Sequence, residues 1–457
     1  MAGQEIESPT EGGAATPSSG SGQALDYIFH PRSVAVVGAS RAQPVGPGTD
    51  FVLALKKMGC PLIYPVNPKY EVVDGLKCYP SLMEIEGPVD HVISSVPAHI
   101  VPQLVEDSIA KGVKTIHFFT AGFSETGEEE RAELESRVVA RAKEAGIRIL
   151  GPNCMGLYVP GAGLSFTLGF PKEPGSVALL SQSGGNAGET ITASAVRGIR
   201  YSKVISYGNA ADIDESELLE YLAQDPETEI ITAYIEGVKG GGRFLPAMRA
   251  AAAAKPVLVL KGGRNEIGAR AAYSHTASLA GSIQIFDALC RQVGAVRANS
   301  VEELVDLIVA FRYLGPSANS RWLPAGPRVV VVGAGGGSSV FAADEIGEAG
   351  LQCPSLPERV QAQLRELVPV AGTIIRNPID ATDILEPTKL EQILRIAGQA
   401  ENIDVIIYHL NIGWGRHMSS RNTTSVDPDQ RAHLTMDAML RAREATGKPI
   451  VVTLRSP

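Results

Sequence analysis

Short apolar segments alternate with segments of helical length along almost the whole chain, and this alternation limits the possible folds more than any other feature. The first series of apolar segments lies at 33–39, 62–66, 90–96, 115–120 and 147–150. Helical stretches such as 99–111 and 127–145 separate them. Strand–helix alternation with short loops places helices on both faces of a parallel sheet. The sequence therefore predicts a doubly wound α/β domain.

The pattern then restarts twice. Further strands are predicted at 176–181, 203–206, 229–236 and 256–260, and a third series begins at 328 and continues near 403–411 and 449–453. At about 150 residues per domain, a chain of 457 residues has room for three such units. The predicted organisation is a disordered polar tail at 1–24, domains at 25–155, 156–314 and 328–457, and a Pro- and Gly-rich linker at 315–327.

Composition argues against several classes of function. The formal net charge of −9 disfavours nucleic acid and anionic membranes as partners. No segment reaches the roughly 18 uncharged apolar residues of a membrane helix, and residues 1–24 do not resemble a secretion signal. The five cysteines include no Cys-x-x-Cys pair, which disfavours a disulfide scaffold or a zinc site. A reducing, cytoplasmic location is therefore predicted.

The ends of the first five predicted strands are a candidate ligand site, because ligands bind beyond the carboxyl ends of such strands. The first turn has no Gly-x-Gly-x-x-Gly sequence, and Asn67 and Lys69 stand where a dinucleotide site has an acid. Lys69 suits a ligand with a phosphate on its ribose, such as coenzyme A, although it could also be a solvated turn lysine. The residues predicted to bind this ligand are Gly38, Ser40, Arg41, Asn67, Lys69, Val96, Pro97, Thr120, Gly122 and Asn153.

Two turns are candidate phosphate sites. In each, a strand passes through small residues into a helix, so that free amides and the helix dipole can bind an anion. The first lies in the segment LLSQSGGNAGE (179–189), where an ordinary serine N-cap is the alternative interpretation. The second lies in AGGGSS (334–339) of the third domain. The predicted phosphate-binding residues are Ser183, Gly184, Gly185, Gly336, Gly337 and Ser338.

A histidine in a Gly- and Ala-rich loop is the candidate nucleophile. His275 lies in the segment 262–282, which follows the predicted strand 257–261. An isolated histidine is more often a surface or core residue, but loops after strands commonly carry function, and imidazole can act as a nucleophile. Glu236 ends the preceding strand, from which its carboxylate could orient the ring.

At this point the sequence resembles the α subunits of NDP-forming acyl-CoA synthetases, which belong with succinyl-CoA synthetase. The resemblance runs from about residue 26 to the C-terminus, and several strings carry it in one order: VAVVGAS, YPVNPKY, GPNCMG, SQSGG, YIEGVKGGGRF and SHTASLAG. It implies an α/β fold with a Rossmann-like CoA-binding domain followed by two flavodoxin-like domains of the succinyl-CoA-synthetase type. It also implies that His275 is phosphorylated and that Glu236 steadies it.

The resemblance implies an acid–CoA ligase acting through an acyl phosphate. Its substrates would be a small carboxylic acid, CoA and a nucleotide. The chain has no Gly-x-x-x-x-Gly-Lys-Ser/Thr loop, and 328–457 is too short for an ATP-grasp module. The resemblance therefore implies an ATP-grasp β subunit that holds ATP or ADP with Mg²⁺. The sequence leaves open which acid is used and whether the nucleotide is ATP or GTP.

Some positions depart from the family pattern. Ala277 replaces a glycine after the histidine, Gly185 and Asn186 alter the first phosphate turn, and AGGGSS replaces the usual third-domain turn. These departures motivate an alternative, a non-catalytic CoA-binding or regulatory protein of the same fold. An NAD-dependent dehydrogenase is a third possibility, which the first turn and Lys69 disfavour.

Overall fold

The computed structural model describes residues 25–40, 46–268, 270, 282–315, 323–333, 335–368, 374–381, 386–411 and 428–455. Contacts divide the chain into two compact units, residues 1–311 and 312–457. The predicted tail at 1–24 and residues 316–322 of the predicted linker lie outside the described residues.

The first sheet is parallel and buried on both faces. Its segment of the chain contains β1 Val34–Val37, β2 Ile63–Val66, the short hairpin β3 Val72–Val73 and β4 Leu76–Lys77, then β5 His91–Ser94, β6 Thr115–Phe118 and β7 Arg148–Leu150. The strands of the sheet lie in the order β2-β1-β5-β6-β7. Every position of β5 and β6 is buried, including the polar residues His91, Ser94, Thr115 and His117, as expected for strands covered by helices on both sides. The five strands predicted for this domain are confirmed.

Helices pack on both faces of this sheet, and the sequence encodes their ends. They are α1 Asp26–Phe29, α2 Pro47–Met58, α3 Val101–Lys111 and α4 Glu129–Glu144. Proline lies in the first turn of α2 and of α3, where the missing N–H has no partner within the helix. The same two helices end at Gly59 and Gly112, both in the left-handed conformation that favours glycine.

The second sheet is mostly parallel, with one antiparallel edge strand. It contains β8 Gly156–Tyr158, β9 Val177–Ser181, β10 Tyr201–Ser206, β11 Ile230–Ile235, β12 Val257–Lys261 and β13 Val296–Ala298, in the order β13-β12-β11-β9-β10-β8. Strand β8 pairs antiparallel with β10. The sequence analysis predicts neither β8 nor β13, each of which has three residues.

The helices that accompany the second sheet follow, and the boundary between the two units at residue 311 lies within the last of them. They are α5 Gly184–Ala195, α6 Glu215–Gln224, α7 Gly241–Ala254, α8 Ile283–Val293 and α9 Val301–Leu314. The alanine run at 250–254 forms the end of α7. Across the described part of the chain, no helix is long and apolar enough to cross a membrane.

The second unit is a smaller parallel sheet with helices. It contains β14 Val329–Gly333, α10 Gly336–Glu348, α11 Glu358–Leu367, β15 Ile379–Asp380, α12 Pro387–Gly398, β16 Val405–Asn411, α13 Pro428–Thr446 and β17 Ile450–Arg455. The strands lie in the order β15-β14-β16-β17, and all of these pairs are parallel. The predicted α/β fold with three successive parallel layers is therefore confirmed.

Polar clusters join the first two sheets within the first unit. Arg148 donates two hydrogen bonds to Glu217, at 2.8 and 2.7 Å, and its Nε donates to Asp212 at 2.9 Å. The Nδ2 of Asn209 donates to Glu125 at 2.6 Å. Paired guanidinium–carboxylate contacts of this kind fix orientation as well as distance. They hold β7 and the loop after β6 against α6 and the segment that follows β10.

Candidate active site

A pocket of about 530 Å³ lies between the carboxyl ends of the first sheet and the start of α5. It brings together predicted ligand residues from the first domain and all three predicted phosphate residues of the first turn. None of the described residues that line it is charged. They are Pro47, Ser95, Val96, Pro97, Phe119, Thr120, Ala121, Asn153, Cys154, Met155, Gln182, Ser183, Gly184 and Gly185.

The strand ends that line the pocket are bonded to one another. The Oγ1 of Thr120 donates to the carbonyl of Val96 at 2.8 Å. The N–H of Asn153 donates to the carbonyl of Thr120 at 3.0 Å. Asn153 has a φ of 56°, in the left-handed region that asparagine tolerates better than most residues. The loops after β5, β6 and β7 therefore form one connected edge.

The turn after β1 is too tight for a side chain at its glycine. Gly38 has a φ of +100°, and a Cβ atom there would lie 2.4 Å from the carbonyl oxygen of Ser95. Asn67 braces this turn, because its Nδ2 donates to the carbonyl of Ala39 at 2.7 Å. The N–H of Ser40 donates to the Oγ1 of Thr49 at 2.9 Å. Gly38, Ser40 and Asn67 thus shape the turn.

Other predicted ligand residues occupy different surroundings. Lys69 is exposed, and its N–H donates to the Oδ1 of Asn67 at 3.0 Å. Gly122 is outside the described pocket lining, and its N–H donates to Glu125 at 2.5 Å. The sequence analysis missed Glu125, which lies three residues further along the TAGFSE segment. Arg41 lies outside the described residues.

The turn before α5 has the geometry of a helix start with free amides. Ser183 is the N-cap, and its Oγ accepts the N–H of Asn186 at 3.3 Å. The ordinary capping role considered for this serine is therefore present. Gly184 and Gly185 are the first residues of the helix and line the pocket. A helix N-terminus open to a pocket favours a negatively charged group.

Glu236 follows β11 directly and is 5% exposed. The hydroxyl of Tyr234 donates to its carboxylate at 3.2 Å. The side-chain oxygen of Gln182 accepts the backbone N–H of Glu236, and it also accepts the N–H of Gly237 at 3.0 Å. Because Gln182 immediately precedes Ser183, the phosphate turn and Glu236 are directly connected.

A buried lysine lies on the other side of Glu236. The Nζ of Lys261 donates to the backbone carbonyl of Glu236 at 2.6 Å and also to the carbonyl of Gly262. Burial lowers the pKa of this ammonium, and the charge of Glu236 opposes the shift. The sequence analysis missed both Gln182 and Lys261. The sequence could have indicated Lys261, because it ends the otherwise apolar strand VLVLK, and a buried lysine requires a hydrogen-bond partner.

The predicted nucleophile is outside the described residues. His275 and its neighbours Ser274, Thr276, Ala277 and Ser278 belong to the segment 271–281, which the structure does not describe. Between the end of β12 at Lys261 and that segment, the structure describes residues 262–268 and 270. The role of His275 therefore stays a prediction.

In the second unit, a carboxylate lies at the other predicted phosphate turn. Gly336, Gly337 and Ser338 are the first three residues of α10. The Oδ1 of Asp380 accepts the N–H of Gly335 at 2.6 Å, directly before this helix. Because Asp380 is itself an anion, it competes with phosphate for the amides of this turn.

Three family models cover most of the chain. A CoA binding domain matches residues 32–160, a succinyl-CoA ligase like flavodoxin domain matches 174–311, and a ligase-CoA domain matches 329–456. The α subunit of an ADP-forming acetate–CoA ligase II from Pyrococcus furiosus is 39% identical over 383 residues, which are 84% of this chain and 81% of the relative.

The chain belongs to the family of ADP-forming acetate–CoA ligase α subunits. The α subunit of ligase I from the same organism is 38% identical over 380 residues, covering 82% of this chain and 80% of the relative. A solved acetyl-coenzyme A synthetase 1 from Ca. Korarchaeum cryptofilum, in complex with phosphate and ADP, is 32% identical with a TM-score of 0.78. The match covers 95% of this chain and 89% of that one. The resemblance identified from the sequence motifs is confirmed.

Proposed function

We propose that the chain is the α subunit of an ADP-forming acid–CoA ligase. The enzyme interconverts a carboxylic acid, CoA and ATP with acyl-CoA, ADP and phosphate. The observation that carries this proposal is the pocket of about 530 Å³, in which the predicted CoA edge faces the predicted phosphate turn. A thiol and an acyl phosphate could meet there without crossing bulk water.

The reaction proceeds through two phosphoryl transfers followed by one acyl transfer. The γ-phosphoryl group of ATP moves to a ring nitrogen of His275, and ADP leaves. A carboxylate oxygen of the acid then attacks that phosphorus, giving an acyl phosphate and free histidine. The CoA thiolate attacks the acyl carbonyl, and phosphate leaves. Covalent catalysis divides one difficult condensation into easier steps.

Residues near the pocket would bind the phosphate and stabilise the charges that develop in these steps. The amides at Ser183, Gly184 and Gly185 hold the migrating phosphate, and Glu236 orients and stabilises the charged imidazole. The turn Ser183–Gly185 is the main phosphate site. The turn Gly336–Ser338 is less suited to phosphate, because the carboxylate of Asp380 lies next to it and repels an anion. On the first sheet, Lys69 pairs with the ribose phosphate of CoA.

A partner subunit completes the enzyme. The relatives from Pyrococcus furiosus are named α subunits, whereas the match to the ADP-forming acetate–CoA ligase of Methanocaldococcus jannaschii covers only 49% of that relative. We propose that an ATP-grasp β subunit supplies ATP or ADP with Mg²⁺. The five cysteines are free thiols, in keeping with a cytoplasmic location.

Transfer of labelled phosphate tests the function. With γ-³²P-labelled ATP and the partner subunit, acid-labile and base-stable label should appear on this chain and leave when acid and CoA are added. His275→Ala should abolish both labelling and thioester formation, whereas the control His99→Ala at an exposed histidine should retain both. Label that survives His275→Ala would overturn the mechanism. Thioester formation without any labelled intermediate would do the same.

A further inference from the structure

Met155 separates the candidate active-site pocket from a second, internal space. Its side chain lines the pocket of about 530 Å³ and also a small cavity of about 10 Å³. The other residues that line the small cavity are five apolar ones, Phe51, Leu55, Ile93, Leu157 and Leu164, and three polar ones, His91, His117 and Ser165. Met155 is therefore part of the wall between the two spaces.

The same side chain packs directly on the phosphate turn. A Cβ atom on Gly184 would lie 2.3 Å from the Cγ of Met155, so the methionine occupies the volume that a side chain at position 184 would need. A group held at the amides of Gly184 and Gly185 therefore has Met155 as an immediate neighbour.

The backbone around Met155 is fixed, while its side chain is adaptable. Its N–H donates to the Oγ of Ser206 at 3.1 Å. The preceding carbonyl, of Cys154, accepts a hydrogen bond from the Nε2 of His117 at 2.9 Å. An unbranched thioether on such a fixed backbone fills irregular space and can be replaced with little strain.

Aromatic side chains form part of the walls of both spaces. Phe119 lines the same pocket, and its ring meets that of Phe51 edge to face, with centroids 5.3 Å apart. No charged side chain lines the pocket among the residues that the structure describes. This side of the pocket therefore suits the apolar part of a monocarboxylic acid.

We propose that Met155 sets the size limit for the acyl group. The inference rests on the proposed ligase function, in which the phosphate of the acyl phosphate lies at the turn Ser183–Gly185. From that turn the acyl chain extends over Met155. A shorter side chain at this position would join the pocket to the internal cavity and admit branched or aromatic acids.

The specificity of the complete enzyme, this chain with its partner subunit, tests the proposal. Acetate, isobutyrate and phenylacetate are compared as substrates by their values of kcat/KM. Met155→Ala should raise the ratio of phenylacetate to acetate by about tenfold or more, the range available from a few methylene groups in an apolar pocket. The KM for CoA should stay within about twofold, because only the acyl site has changed.

Two further variants keep the test decisive. Met248→Ala truncates another methionine, fully buried in α7 and outside the pocket lining, and should leave the ratio unchanged. Met155→Val is a milder truncation and should shift the ratio in the same direction, even if the alanine variant does not fold. A wild-type ratio in both folded Met155 variants would overturn the role of Met155. A wild-type enzyme that forms no thioester from any acid would instead refute the proposed function.

Discussion

The side-chain oxygen of Gln182 accepts the backbone N–H of Glu236, so the residue before the phosphate turn fixes the backbone of the glutamate proposed to steady His275. Lys261 holds the carbonyl of the same Glu236 at 2.6 Å. The peptide groups on both sides of the Glu236 side chain are thus fixed by buried partners. This arrangement favours a preorganised carboxylate, which costs no reorganisation when the imidazole becomes charged.

Replacing Gln182 by leucine should uncouple the two parts of the site. The N–H groups of Glu236 and Gly237 would lose their acceptor, and an unpaired buried donor costs about 1–3 kcal/mol. We expect phosphohistidine formation to slow by about tenfold or more, while CoA affinity changes little. The rate of labelling in a rapid quench and the Kd for CoA measure the two effects.

Gln182→Glu is the matched control, because it keeps an acceptor oxygen at the same place. Its stability should stay closer to that of the wild type, but its added negative charge should weaken phosphate binding at the neighbouring amides. Equal rates of labelling in the wild type and the leucine variant would show that the contact has no positioning role.

Glu236→Gln should preserve the fold and slow phosphoryl transfer. The amide keeps an oxygen that can accept from the hydroxyl of Tyr234, but it loses the charge that stabilises an imidazolium. We expect a loss of about tenfold or more in the labelling rate, with an unchanged urea midpoint. The control Glu220→Gln removes a carboxylate of α6 that pairs with Arg243 of α7, and it should leave the labelling rate unchanged. A normal rate in Glu236→Gln would assign the stabilising charge to another group.

Lys69→Ala should weaken CoA more than dephospho-CoA. Only CoA carries the ribose phosphate, and one exposed cation–phosphate contact is worth about a fivefold change in affinity. Lys57→Ala removes an equal charge from the last turn of α2 and serves as the control. Calorimetry with both ligands on all three proteins measures the difference. Equal weakening of CoA and dephospho-CoA by Lys69→Ala would sink the assignment.

The sequence predicts the layers of this protein better than it predicts the contacts within the site. Apolar strands such as β9 and β12 are recognisable because burial on both faces requires nearly continuous apolar residues. The turn at Ser183 is recognisable because helix starts have local signals. The contact of Gln182 with Glu236 spans 54 residues, and no local pattern specifies such a partner.

Met155 illustrates the same limit. The sequence places it in the segment GPNCMG, which the resemblance assigns to the CoA-binding domain. Its contact with Gly184 of the next domain depends on how the two sheets pack, and that packing is held by distant pairs such as Arg148 with Glu217. Side chains that face another domain are therefore found only once the fold is known.

Two buried histidines of the first sheet should make the protein sensitive to acid. Burial, and then the charge of His117, lowers the pKa of His91 to about 3. Burial lowers the pKa of His117 to about 4, although its hydrogen bond to the carbonyl of Cys154 opposes the shift. Both values lie below the ordinary 6.5. Below pH 6.5 the unfolded chain therefore binds more protons than the folded chain, and stability falls as the pH falls.

The predicted window runs from about pH 6.5 down to about pH 4, and each ring contributes a slope of about 1.4 kcal/mol per pH unit within it. His91→Asn can keep the contact with Thr115, and His117→Gln can keep the contact with Cys154, while neither replacement titrates. Each should flatten the dependence of the urea midpoint on pH between 6.5 and 4.5, and the control His99→Asn at an exposed site should not.

Burial raises the pKa of Glu215, which makes stability depend on pH in the opposite direction, but Glu215 is common to all variants and cancels from the comparison. Slopes as steep in the His91 and His117 variants as in the wild type would mean that other groups cause the acid sensitivity.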